Sequence, residues 1–199
     1  MAADLANWAP LSVDETTRLM SGLGAPWWIA GGWAIDLFLG RTTRDHADMD
    51  VAILRRDQEA LASLLADWDV HIPADGVLTP WKAGDWLEGG ARFQFWARAT
   101  PVSPWSLEVL LEESKAQRWV YRRNGAVSLP LKRFGRVTGD GTPFVAPEVA
   151  LLFKSNHLEV EKNRTDFDAV LPAMDEAAKA WLKAALRLTD PGNLWIARL

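Results

Sequence analysis

Residues 27–54 read WWIAGGWAIDLFLGRTTRDHADMDVAIL. A short apolar run, Trp27-Trp28-Ile29-Ala30, precedes two glycines, Gly31 and Gly32. Trp33 to Leu39 forms a compact helical pattern that stops at Gly40. A polar loop carrying Arg41, Arg44, Asp45 and His46 leads to Asp48-Met49-Asp50, and Val51-Ala52-Ile53-Leu54 is apolar again. The pattern predicts strand, glycine turn, helix, loop and strand, in that order.

The chemistry of that arrangement is specific. Side chains on a strand alternate faces, so Asp48 and Asp50 project together while Met49, Val51 and Ile53 project the other way. One face can bury; the other presents two carboxylates about 7 Å apart along the chain. Such a pair is repulsive, and burying either member without a partner costs free energy. A divalent cation is the usual partner, and hard oxygen donors suit magnesium. Gly31 and Gly32 let backbone N–H groups approach a ligand where a helix begins, a natural seat for phosphate. A metal-bound nucleoside triphosphate is the simplest ligand common to both features. Each feature alone has a plainer reading: a solvated strand face for the aspartates, a tight turn for the glycines.

Further along, Trp105 to Leu111 alternates, with Trp105, Leu107, Val109 and Leu111 on one face and Ser106, Glu108 and Leu110 on the other. This is a second strand bearing a carboxylate.

The order Gly-Gly, helix, Asp-x-Asp on a strand resembles the nucleotidyltransferase superfamily with a DNA polymerase β-like core. More closely, Gly31-Gly32-Trp33-Ala34-Ile35-Asp36, Leu39-Gly40-Arg41-Thr42-Thr43-Arg44 and His46-x-Asp48-x-Asp50 are similar to aminoglycoside 2″-nucleotidyltransferases, antibiotic-modifying adenylyltransferases. The close resemblance covers the first third of the chain and is loose beyond it. It implies an α+β fold, a mixed β-sheet flanked by helices with a small C-terminal helical part. It implies transfer of AMP from ATP, or of another nucleotide from its triphosphate, to a hydroxyl of a small aminoglycoside-like molecule. One or two Mg2+ ions would be held by carboxylates from adjacent strands. Asp48 and Asp50 supply two. The resemblance implies a third on a later strand, where Glu108 is the choice and Glu112 and Glu113 the fallbacks. The family often has Asp at this place, where it serves as general base; here the residue is a methylene longer.

The same resemblance makes Gly31, Gly32, Arg44, His46 and Lys154 candidates for nucleotide contacts. Plainer roles stand beside these: Arg44 pairing with Asp45 or Asp48, His46 orienting Asp48, Lys154 as a surface lysine. Lys162 to Asp168 resembles a Lys-Asp-x-x-Asp-like stretch of other members, so Asp166 and Asp168 could meet a cationic acceptor or simply favour a helix start. Arg122 and Arg123 line a triphosphate entry or cover a hairpin. Asp36 is expected to be a structural or capping partner.

Composition bounds these readings. The chain has 199 residues, 49% hydrophobic, enough for one domain or a catalytic domain with an appendage. It has no cysteine, so no disulfide framework or cysteine-held zinc is possible, and its three histidines lack metal-ligand spacing. The net charge of −4 does not suit nonspecific nucleic-acid binding. No apolar run approaches a membrane span, and MAADLANWAPLSVDE has neither basic start nor apolar signal core, so a soluble cytoplasmic protein is expected.

Taken in order, Ser12-Val13-Asp14-Glu15 is a capping box that opens a first helix. Asp57 is placed to cap a helix with Leu61, Leu64, Leu65 and Trp68 on one face, and residues 69–72 form a short strand. Residues 77–90 read as loop or a short hairpin. Arg92 to Arg98 is a strand, and Asn124-Gly125 joins 118–123 to 126–129 as a hairpin. Pro147 starts a helix whose buried side includes Asn156; 163–165 interrupt, and Pro172 starts a last helix. A soft boundary near 142 separates a catalytic part, 1–142, from a helical part, 143–199. The competing functions are a nucleotidyltransferase with a protein or RNA acceptor and a non-enzymatic, antitoxin-like nucleotide binder on the same scaffold.

Overall fold

The structure, a computed structural model, describes residues 5–82, 84–90 and 92–199. Residues 1–4, within the stretch read for a targeting signal, lie outside that set, as do Ala83, within the expected loop at 77–90, and Ala91. The elements in chain order are α1 (Val13–Met20), β1 (Trp27–Ile29), α2 (Gly31–Leu39), β2 (Asp50–Leu54), α3 (Gln58–Leu64), β3 (Asp69–Ala74), β4 (Val77–Pro80), β5 (Gln94–Arg98) and β6 (Leu107–Lys115). After them come β7 (Arg118–Val120), β8 (Ser128–Pro130), β9 (Gly135–Val137), β10 (Pro143–Val145), α4 (Pro147–Lys154), α5 (Glu161–Val170) and α6 (Glu176–Thr189). The expected α+β class, a mixed sheet with flanking helices, is the class observed.

By packing, the chain forms two compact units, each assembled from two stretches: Met1–Ile29 with His46–Glu113, and Ala30–Asp45 with Ser114–Leu199. The boundary expected near 142 falls inside the second unit. The physical reason is α2, which packs against α4, α5 and β10 and so carries residues 30–45 into the second unit.

In the first unit the strands run in the order β4-β3-β5-β6-β2-β1. β2 and β6 are parallel; the other neighbours are antiparallel. Met49, Val51, Ile53, Leu107, Val109 and Leu111 are all fully buried, as their alternation requires. Burial of such side chains stabilises the unit by roughly 1.5–3 kcal/mol each. The Ser12 box forms as read: Glu15 N–H donates to Ser12 Oγ at 3.2 Å and Ser12 N–H to Glu15 Oε2 at 2.8 Å. Asp57 does not cap α3. Residues 55–57 first make a 3-10 turn, leaving Asp57 at φ −99°, ψ 15° instead of the extended backbone a capping side chain needs. Burial pushes its carboxyl pKa up. Buried Gln58 does the tethering: its Nε2 donates to Arg55 O at 2.9 Å and Leu87 O at 3.1 Å, and Leu87 N–H donates back to Oε1 at 3.0 Å. Residues 75–76 close a hairpin, with Ala74 opposite Val77 and both Asp75 (φ 51°) and Gly76 (φ 76°) left-handed.

In the second unit β7 pairs with β8 and β9 with β10, all antiparallel. Trp119 is fully buried with Tyr121, Phe134 and Phe153 at ring distances of 5.8, 5.4 and 6.1 Å. Val120 faces Ser128, so the hairpin at Asn124-Gly125 has a wide loop. Asn124 uses its side chain to hold Ala126 N–H (3.0 Å) and Leu188 O (3.1 Å). Pro147 opens α4 as expected. Asn156 lies beyond the end of that helix and is exposed, donating to Tyr121 Oη at 2.9 Å. α5 runs unbroken through 163–165, because buried Asn163 donates to His157 O at 2.9 Å. The last helix starts after Asp175, whose Oδ1 accepts Ala178 N–H at 2.7 Å, while Pro172 sits in a 3-10 turn before it.

At the head of α2, Gly31 has φ 59°, the left-handed region in which an L side chain crowds the carbonyl. Gly31→Ala is expected to lower stability by about 1–2 kcal/mol, measured by chemical denaturation. Among the described residues, no helix is long and apolar enough to cross a membrane.

Candidate functional site

The carboxylates lie in the first unit, and the backbone register places them. In the parallel pair β2–β6, Asp50 is the direct partner of Glu108, and Val51 of Val109. Partnered residues share a sheet face, so Asp50 and Glu108 project together from strands about 4.8 Å apart. Asp48, just before β2, belongs to the same face: Asp48 and Asp50 are half-buried, while Met49 between them is fully buried. The ladder extends to this point, since Glu108 N–H donates to Met49 O at 2.8 Å.

The fallback glutamates are placed differently. Glu112 partners Leu54 and is 3% exposed. It lies about 13 Å along the strand from Glu108. Glu113 is held by Arg55, whose Nε donates to its Oε1 at 2.6 Å while Nη1 donates to Leu87 O at 3.0 Å. Three carboxylates on one sheet face are the donor chemistry a hard divalent cation requires. Among the described residues, no three His, Asp or Glu side chains converge as a ready-made metal cage. The backbone therefore brings the donors to one face without preassembling them.

The same face continues beyond Glu108 in a way the sequence reading missed. Trp96 on β5 partners Glu108, and His71 on β3 partners Trp96. His71 Nε2 lies 3.0 Å from Asp69 Oδ1, and Arg98 Nε donates to Asp69 Oδ2 at 2.6 Å. Burial pushes the Asp69 carboxyl up, but the bonds from Arg98 and His71 outweigh it and hold the pKa below its ordinary value. The Arg98 guanidinium stacks 4.2 Å over Trp105. The alternation of Asp69 and His71 with Val70 and Ile72 was the available signal. His46 is half-buried in the loop before Asp48.

In the second unit, Gly31 and buried Gly32 open α2 with no side chain capping the helix. Asp36 is structural, as expected: it is buried and accepts from Thr43 N–H at 3.1 Å and Thr43 Oγ1 at 2.5 Å. Arg44 and Lys154 meet on one carboxylate. Arg44 Nε and Nη2 donate to the two oxygens of Asp166 at 3.0 and 3.1 Å, and Lys154 Nζ lies 2.7 Å from Oδ2. Asp166 is fully buried and the Lys154 side chain is 11% exposed, which is not the environment of a surface lysine. Burial pushes the Asp166 pKa up, yet the Arg44 bond and the Lys154 charge outweigh burial and hold it below the ordinary value. Asp168 is paired with Arg198 at 2.6 Å. Both acids of the Lys162–Asp168 stretch thus meet the chain's own cations. Arg122 and Arg123 lie over Phe153, at 5.4 and 5.7 Å, and Arg123 donates to Phe153 O at 3.2 Å.

Comparison with known proteins agrees with the resemblance. The family model described as aminoglycoside-2″-adenylyltransferase matches residues 12–80. A 2″-aminoglycoside nucleotidyltransferase of Escherichia coli is 49% identical over 43 residues, 20% of this chain and 24% of that protein. One of Klebsiella pneumoniae matches to the same extent. The matched stretch spans about a quarter of the length of these curated relatives. Among solved structures, ANT(2″)-Ia in complex with adenylyl-2″-tobramycin superposes with a TM-score of 0.56 at 19% identity, covering 84% of this chain and 91% of that one. The lincosamide antibiotic adenylyltransferase LnuA, lincomycin-bound, gives 0.53 at 16% identity, covering 77% and 90%. At such identities the likeness establishes a fold shared with these two proteins, and the resemblance read from residues 31–50 is borne out by the family match over residues 12–80.

Proposed function

We propose that this chain is a nucleotidyltransferase that moves AMP from ATP, or the corresponding nucleotide from another triphosphate, to a hydroxyl of a small aminoglycoside-like acceptor. The observation that carries the reading is the parallel register setting Asp50 beside Glu108, with Asp48 on the same face. The match over residues 12–80 and the shared fold support it. So does the chemistry of the two solved neighbours, one holding an adenylylated aminoglycoside and the other a lincosamide.

In this reading the acceptor oxygen attacks the α-phosphorus, the bond to the β-phosphate oxygen breaks, and pyrophosphate leaves. Glu108 takes the proton of the acceptor hydroxyl. Magnesium, held by Asp48, Asp50 and Glu108, would neutralise charge on the phosphate oxygens. The backbone N–H groups at Gly31 and Gly32 are the phosphate contacts the second unit offers, and its cations Arg44 and Lys154 are held in place by Asp166. His46 is assigned to the same nucleotide-binding set. The protein's contribution is mainly positioning and charge stabilisation.

The direct test is incubation with each nucleoside triphosphate, magnesium and a panel of aminoglycosides, lincosamides, RNA and protein acceptors. Pyrophosphate release and a gain of one nucleotide in acceptor mass are the readouts. No release with any triphosphate would leave a binding protein, and labelling confined to RNA or protein would overturn the small-molecule acceptor. Glu108→Gln is expected to reduce turnover by at least ~100-fold, as loss of a general base does. Glu112→Gln is expected to retain it; the reverse result would move the third carboxylate to Glu112.

A further inference from the structure

The second unit contains a cavity of about 330 Å³ that the transfer chemistry does not use. Lys132, Arg133 and Arg136 line it together with Glu148, Asp175 and Ala177. It stands at the far end of two helices from the groups assigned to the nucleotide. Arg136 lies 5.2 Å over the ring of Phe38, seven residues after Gly31 and so about 10 Å along α2. Glu148 precedes Lys154 by six residues, about 9 Å along α4.

Three cations face two acids here, and the acids engage them loosely. Arg136 Nη2 is 3.5 Å from Glu148 Oε2 and 3.6 Å from Asp175 Oδ2, and Arg133 Nη2 is 3.9 Å from Glu148 Oε1. Charge-assisted bonds that have closed are about 2.7–2.9 Å long. The Glu148 side chain is 3% exposed, whereas those of Arg133 and Arg136 are 44% and 35% exposed. Asp175 already accepts Ala178 N–H at 2.7 Å. Lys132 has no carboxylate partner among the described residues. The phenyl ring of Phe38 holds the Arg136 guanidinium without using its N–H groups. The first turn of α6 is at the rim, and the positive end of its dipole adds to the excess of cations. A cationic ligand would meet three like charges.

We propose that this cavity is a binding site for a phosphate-type oxyanion, either inorganic phosphate or the phosphate of a small phosphomonoester. The anion bridges Lys132, Arg133 and the outer edge of Arg136, completing donors that Glu148 and Asp175 leave underused. The site is independent of the proposed transfer reaction.

Calorimetric titration of the whole chain with inorganic phosphate, without magnesium or nucleotide, tests this. Saturable binding is expected. It should be retained in Asp50→Asn and weakened at least ~10-fold in the Lys132→Ala/Arg133→Ala double variant, two exposed positions whose loss leaves the core intact. Should circular dichroism show the double variant unfolded, Lys132→Gln alone is expected to raise the dissociation constant severalfold. Glycerol 2-phosphate separates the sources: equal affinity assigns the phosphomonoester class, and exclusion assigns the free anion. Absence of saturable phosphate binding, or an affinity unmoved by the substitutions, overturns the site.

Discussion

Asp50→Asn is expected to lower nucleotidyl transfer by at least ~10³-fold, about 4 kcal/mol of transition-state stabilisation, while the protein stays folded. The substitution keeps the shape of the side chain and removes only the charge. Asp50 is the first residue of β2 and half-buried, whereas the core of that strand begins at fully buried Val51. The melting transition should therefore move little. Asp48→Asn is expected to behave alike, because the two acids share the face that Met49 does not. The measurement is a rate of pyrophosphate release beside a thermal melt. Wild-type turnover in either variant would remove both aspartates from the chemistry.

The second large effect is on stability. Asp166→Ala strips the carboxylate from between Arg44 and Lys154, whose side chains are 19% and 11% exposed. Removing one partner of a buried ion pair costs about 3–5 kcal/mol, because the other charge stays behind without compensation. For a chain of 199 residues that corresponds to a fall in melting temperature on the order of 10 °C. The pH dependence has a definite sign. The Asp166 carboxyl is held below its ordinary pKa, after burial is outweighed by Arg44 and Lys154. Its stabilisation is fully present above the unfolded value near ~4 and is lost as pH falls through the lower folded value. The gap between wild type and Asp166→Ala should thus be widest at neutral pH and close in acid. A gap that stays constant from neutral pH into strong acid, or a variant that melts with wild type, would show that the pairing carries no net stability.

How far residues announce their own role differs along this chain. The shared sheet face of Asp48, Asp50 and Glu108 was legible because the signal is local: each sits in or just before a strand whose neighbours alternate, and alternation assigns a face without knowledge of the partner strand. The Ser12–Glu15 box and Pro147 at a helix start were legible for the same reason, since a cap involves residues no more than three apart. Asp57 failed because the backbone entering α3 makes a 3-10 turn, which no side-chain pattern encodes. The continuity of α5 was missed because Asn163, polar by type, finds its acceptor at His157 O in another turn of chain.

The sequence by itself determined the class of the fold, the sheet face that carries the acids and the glycine turn at the head of α2. Those follow from periodicity and from backbone preference, which are properties of neighbours. Only tertiary structure decided that Glu108 lies beside Asp50, that Arg44 and Lys154 converge on Asp166 across 122 and 12 positions of chain, and that α2 packs in the second unit. Strand register and ion pairing between distant segments are settled by packing, because the same periodic pattern is compatible with many partners until burial selects one.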